Sequence, residues 1–204
     1  ILVATPIGIL AAVYLQEYAK QGKVVRVIRF ATECLAGIPS IVYGLFGGIF
    51  FVVALKLQYS ILSGGLTVAI IILPTIIRST EEALKTVPST YREASLGLGA
   101  TKFQTLYKVI LPSAIPGILS GVILSIGRVI GESAAILLTA GTVAKMPLTV
   151  FDSARTLTVH AYLLTKETGD IQTACGVGIV LIVIVFGLNT IAKLVAKKLN
   201  KANY

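Results

Sequence analysis

EEALKTVPSTYREASLGLGATKFQTLYKVILP, Glu81 to Pro112, is the long polar interruption in a chain otherwise built from apolar runs. A helix start is legible in it: Pro88, Ser89 and Thr90 precede Glu93, and Thr90 as cap with Glu93 three residues on makes a capping box. Small residues follow, Ala94, Ser95, Gly97, Gly99 and Ala100. Gly at 97 and 99 weakens an isolated helix by up to about 1 kcal/mol each, so packing against another surface must supply what propensity does not. The stretch therefore reads as two short helices with a turn near Gly99, shaped for docking.

Working outward, the flanks are suited to lipid. The 204 residues are 55% hydrophobic and only 13% charged, against roughly 25% charged in soluble domains. Five stretches are long and apolar enough to read as spans, about 1 to 18, 30 to 56, 61 to 77, 114 to 140 and 171 to 192, each near the ~20 residues that cross a bilayer. The implied fold class is an all-α polytopic transmembrane bundle, a single transmembrane domain over 1–204 with 78–113 as the loop within it. In the second stretch, LAGIPSIVYGLFGG predicts a helix broken near Pro39 and buried among other helices, because unsatisfied backbone is costly in lipid.

Lys and Arg between these spans set the orientation. Thirteen lie on one side, in the segments after spans one, three and five, and four on the other. The richer side is read as cytoplasmic, which places the C-terminus inside, makes 78–113 cytoplasmic and expects one further span upstream. The start, ILVATPIGIL, lacks the basic opening and cleavage site of a signal peptide. The formal net charge of +9 is spread between apolar runs, which argues against a nucleic-acid face. Cys34 and Cys175 sit in apolar segments without metal or redox spacing and are expected to be buried thiols. External residues 141–170 carry TLTVHAYLL, an amphipathic segment expected at the membrane interface.

Glu93-Ala94-Ser95, three residues, Gly99, nine residues, then Val109-Ile110-Leu111-Pro112 resembles the EAA loop of ABC-importer permeases, with Ser95 and Val109 as mild departures. The stretches PIGILAAVYLQEYAK, ECLAGIPSIVYGLFG, GRVIGESAAILLTA and TLTVHAYLL also resemble phosphate-importer permeases of the PstA type. That resemblance implies six spans, a multi-pass inner-membrane location, and coupling to an ATPase through Glu93, Ala94, Ser95, Gly99, Val109, Leu111 and Pro112. It implies as partners a PstC-like permease, a PstB-like ATPase dimer and an external phosphate-binding protein, with inorganic phosphate as substrate. The chain has no G-x-x-x-x-G-K-[ST]. ATP and Mg are accordingly expected on the separate ATPase, with no cofactor, metal or catalytic residue on this chain. Sulfate or molybdate as the oxyanion is an alternative, and a secondary transporter a more distant one.

LSIGRVIGESAAILL places Arg128 and Glu132 inside the fourth stretch. Read as one helix over 114–140, it centres Arg128 in the membrane, where an Arg costs about 2.5 to 3.5 kcal/mol. Four residues apart on one face, the two charges offset each other, and the Gly117/Gly121 and Gly127/Gly131 pairs predict close helix packing around them. Ser125 and Ser133 add hydroxyls nearby. Two readings stand: a structural ion pair, or an oxyanion step in which the forked guanidinium meets phosphate and Glu132 moderates its field. The family resemblance favours the second. Arg78 reads as a cytoplasmic anchor, or by resemblance as a path residue with Glu81 or Glu82 as partner. His160 reads as an ordinary loop histidine, and Glu33 as the partner of Arg29.

Overall fold

A computed structural model of the chain describes residues 1–201. The side chains of Lys197, Lys198 and Lys201, counted above for orientation, lie outside the described residues. All regular structure described is helical: α1 (Ala4–Val13), α2 (Lys23–Ala36), α3 (Ser40–Gly47), α4 (Ile61–Lys85), α5 (Ser89–Gly97), α6 (Lys102–Thr105), α7 (Leu111–Gly131), α8 (Ala134–Leu137), α9 (Leu157–Leu163) and α10 (Ile171–Lys201). Wide π turns extend α1 through Tyr14–Tyr18 and α3 through Gly48–Ala54, and another joins α6 to α7.

Among the described residues three helices are long and apolar enough to cross a membrane, Ile61–Lys85, Lys102–Gly131 and Ile171–Leu194. The pair Lys23–Ala36 and Ser40–Ala54 makes a fourth if it is one bent span. The multi-span helical expectation holds. The first stretch forms ten residues of α1 continued by a five-residue π turn. Residues 30 to 36 belong to α2, an amphipathic helix in which Val24, Val27 and Phe30 are exposed beside Lys23 and Arg26. The break near Pro39 is present: Pro39 precedes α3 in an extended conformation and donates no amide hydrogen.

Two boundaries differ for physical reasons. α4 continues past residue 77 to Lys85, because Ala83 and Leu84 are core residues with Val87 just beyond them. The stretch 114–140 is not one helix: α7 ends at Gly131, and α8 starts after Ser133. Arg128 thus lies in the last turn of α7 rather than at mid-span.

The chain packs as two compact units. The first comprises Ile1–Cys34, Leu73–Ile126 and the chain from Thr190. Its α1 buries Ala4, Gly8 and Ala12, a small-residue stripe that admits α4 closely; a Cβ on Gly8 would stand 2.7 Å from Ile76. Its core joins Ala83, Leu84 and Val87 to Ile110, Ala114 and Ile118, with Ile9 and Val13 packed against them. Gly117 and Gly121 of α7 face Ala83 and Ser79, so this glycine pair serves packing as expected. Gly127 and Gly131 meet nothing within 4 Å, and that expectation fails.

The second unit comprises Leu35–Ile72 and Gly127–Asn189. Val68, Ile136, Ala140, Val159 and Leu163 form one core cluster, and Tyr43, Ile71 and Ala135 another. TLTVHAYLL is helical over Leu157–Leu163, capped by Thr156, whose hydroxyl accepts from the Val159 amide. Its Val159 and Leu163 are core residues. His160 therefore lies on a helix and not in a loop, with a buried Nδ1 that has no hydrogen-bond partner. Cys34 and Cys175 are both exposed on the chain, contrary to expectation. Each lies on a helix face turned away from the core clusters.

Candidate functional site

The docking expectation centres on the segment from α5 into α6. α5 begins after Pro88, and the Pro88 N-cap position has no side-chain cap. The Thr90–Glu93 capping box is therefore absent, because Ser89 and Thr90 are already inside the helix. The capping box lies on the next helix, α6: Thr101 Oγ1 accepts from Gln104 N at 3.2 Å, and Thr101 N donates to Gln104 Oε1 at 2.9 Å. Between the two helices Gly99 has φ +85°, a left-handed value that glycine adopts without a Cβ penalty. The amides of Leu98, Gly99 and Ala100 donate to the carbonyls of Ala94, Leu96 and Ser95. Ser95 and Thr105 hydroxyls pair at 2.9 Å and tie the two helices together.

What this turn exposes is apolar. Leu98 is 89% exposed, and Tyr91, Leu96, Phe103 and Tyr107 are exposed with it. Phe103 and Tyr107 stack with ring centroids 6.4 Å apart. Glu93, Ala94 and Gly99 share this open surface, whereas Val109 and Leu111 pack against the core beneath. Clustered apolar side chains rimmed by polar ones mark an interaction surface. Leu98, Phe103 and Tyr107 are additions to the residues expected from sequence; their exposure on adjoining helices could be read only once the turn was fixed.

The same unit holds a charged cleft of about 110 Å³, lined by Arg29, Glu33, Arg78, Glu81, Glu82 and Lys85. Arg78 is exposed and pairs with Glu82 at 3.3 Å and Glu33 at 3.8 Å. The buried Glu81 is held by Arg29 at 3.0 Å. The expected Arg29–Glu33 pair is thus replaced by Arg29–Glu81, since α4 brings its carboxylate to α2. Arg29 also reaches Gln21 and Gln16, which accounts for its donors.

In the second unit, Glu132 follows the end of α7 and is 9% exposed. Its carboxylate accepts the Ala135 amide at 3.2 Å, and its carbonyl accepts the Thr158 hydroxyl at 2.9 Å. It acts as a cap for α8, the kind of acidic group that satisfies N-terminal amides. Arg128 is exposed on the last turn of α7, where a cation complements the helix dipole. α7 ends at Gly131, so the helix stops between Arg128 and Glu132. Ser125, expected nearby, turns its hydroxyl to the Gly121 carbonyl at 2.9 Å. Among the described residues no group of three or more His, Cys, Asp or Glu could hold a metal ion.

The chain is similar to known proteins. The chain is 39% identical over 191 residues to the phosphate transport system permease protein PstA of Mycobacterium leprae, covering 92% of this chain and 62% of that protein. It is 40% identical over 179 residues to the probable ABC transporter permease protein YqgI of Bacillus subtilis, covering 81% and 61%. The chain spans about three fifths of the length of these curated relatives. Its fold is similar to a chain in an inward-facing structure of the MetNI methionine ABC transporter, with a TM-score of 0.80 at 20% identity and coverage of 97% and 88%. A family model described as the binding-protein-dependent transport system inner membrane component matches residues 4–202. With nearly its whole length matched, the chain belongs to the family of binding-protein-dependent transport system inner membrane components.

Proposed function

We propose that the chain is a permease subunit of an ATP-driven phosphate importer in the inner membrane, with a cytoplasmic C-terminus. The observation that carries the reading is the exposed apolar surface around Gly99, braced from beneath by the α4–α7 core. It is suited to receive a soluble ATPase, while the chain itself has no phosphate-binding P-loop. Partners are a second, PstC-like permease, a PstB-like ATPase dimer that carries ATP and Mg, and an external phosphate-binding protein. Similarity to a phosphate permease over 92% of this chain supports phosphate as the oxyanion.

In this mechanism nucleotide binding draws the ATPase pair together, and the Glu93–Pro112 segment passes the motion to the spans. Arg128 and Arg78 serve the anion. Each guanidinium offers forked donors that match phosphate oxygens, and each is exposed on the chain. Carboxylates beside Arg78 lower the local field, which keeps binding weak enough for release. Labelled phosphate uptake by the four-component complex in vesicles, with sulfate and molybdate as competitors, tests the reading. Competition by unlabelled phosphate alone supports it; competition by sulfate or molybdate reassigns the oxyanion.

A further inference from the structure

We infer that Arg92 and Glu17 form a positioning clamp through which the docking helix α5 acts on α1; this rests on the permease reading above. Arg92 stands beside Glu93 on α5, but its guanidinium turns away from the docking face. Nη2 donates to Glu17 Oε1 at 2.7 Å and Nε to Glu17 Oε2 at 3.3 Å, the two-pronged geometry that gives carboxylate pairs their direction. Nη1 donates to the Val87 carbonyl and Nη2 to the Leu84 carbonyl, each at 3.1 Å. One side chain thus joins the start of α5, the carbonyl end of α4 and the π turn that ends α1.

The pair is shielded, with side-chain exposures of 25% for Arg92 and 17% for Glu17, so salt screens it less than an open surface pair. Its position matters because α5 follows α4 across the short Thr86–Pro88 connection, and the clamp fixes that end of the helix while the Ser95–Thr105 hydroxyl pair ties the other end to α6. Displacement of α5 must then move Tyr14–Tyr18, whose wide bond from Ala19 N to the Tyr14 carbonyl is 2.9 Å. The other side of the same turn is held by Arg29, which donates to Gln16 at 3.2 Å and through Nε to Glu81 at 3.0 Å. Motion at the docking surface consequently has a bonded route to the charged cleft.

The test uses the assembled complex with wild-type chain, Arg92→Ala, Glu17→Ala, the double variant and Glu17→Gln. Amide hydrogen exchange is read in Ser89–Gly97 and Ala4–Tyr18, with and without a non-hydrolysable ATP analogue, alongside substrate uptake per ATP hydrolysed. In the wild type the nucleotide alters exchange in both segments. In Arg92→Ala the response at Ser89–Gly97 persists while that at Ala4–Tyr18 falls about tenfold, and the double variant is no worse than either single, as a shared interaction requires. Glu17→Gln, which keeps size and a neutral acceptor, gives a partial loss and covers failure of Arg92→Ala to assemble. An undiminished Ala4–Tyr18 response in Arg92→Ala, or single effects that add, overturns the clamp. The exchange readout needs no substrate: loss of the relay in a complex that does not carry phosphate leaves the clamp standing and removes only the oxyanion assignment. A chain that binds no ATPase overturns both.

Discussion

Gly121 of α7 lies against the Ser79 side chain of α4 so closely that a Cβ at 121 would collide with the Ser79 hydroxyl. Gly121→Val should therefore force the two helices apart and lower the thermal unfolding midpoint in detergent by the equivalent of about 1 to 3 kcal/mol. Gly127→Ala, six residues on, meets nothing within 4 Å and should leave the midpoint unchanged. Equal effects at the two sites would contradict the assigned seam.

At Gly99 the constraint is conformational, since φ is +85° while nothing lies within 4 Å of a built Cβ. Gly99→Val should strain the turn by about 1 kcal/mol or more and misplace α5 relative to α6. ATP hydrolysis by the complex should continue while uptake per ATP falls. Unaltered coupling would count against the docking assignment.

Glu132 acts on the amide of Ala135, so its replacement has a stability signature. Glu132→Ala should cost about 1 kcal/mol through loss of the cap, and Glu132→Gln, which still offers an acceptor, considerably less. Thermal melts of the two variants check the order.

Asp152 accepts the Thr149 amide at 2.7 Å and the Leu148 amide at 2.8 Å. These backbone bonds, the Thr149 one first, hold its carboxyl below the usual range, with help from Lys145. A carboxylate with a depressed folded pKa contributes stability that is fully present above its unfolded pKa of about 3.9 and is lost as pH falls through the folded value. Protection of the Leu148 and Thr149 amides, corrected for intrinsic exchange, should persist at pH 7 and decline only below about pH 4. Asp152→Asn should abolish that decline.

The spans were legible because lipid demands long apolar runs, and Ile61–Lys85, Lys102–Gly131 and Ile171–Leu194 supply them. The Gly99 turn was legible because only a few residues tolerate its backbone. Charge partners were not: Arg29 pairs with Glu81 across 52 positions and Arg92 with Glu17 across 75, and such pairs follow from tertiary packing rather than local spacing. The end of α7 at Gly131 was missed for a related reason. Apolar residues continue beyond it, and hydropathy cannot distinguish a helix that continues from one that stops and restarts behind a buried carboxylate.

The central claim is tested most directly by ATP-dependent accumulation of labelled phosphate in vesicles containing the two permeases and the ATPase, supplied with the external binding protein. Accumulation should require ATP and the binding protein, and should fall at least about tenfold, the factor corresponding to ~1.4 kcal/mol, when Arg128→Ala is assembled in the same complex. Accumulation without ATP, or at the wild-type rate in Arg128→Ala, would contradict it.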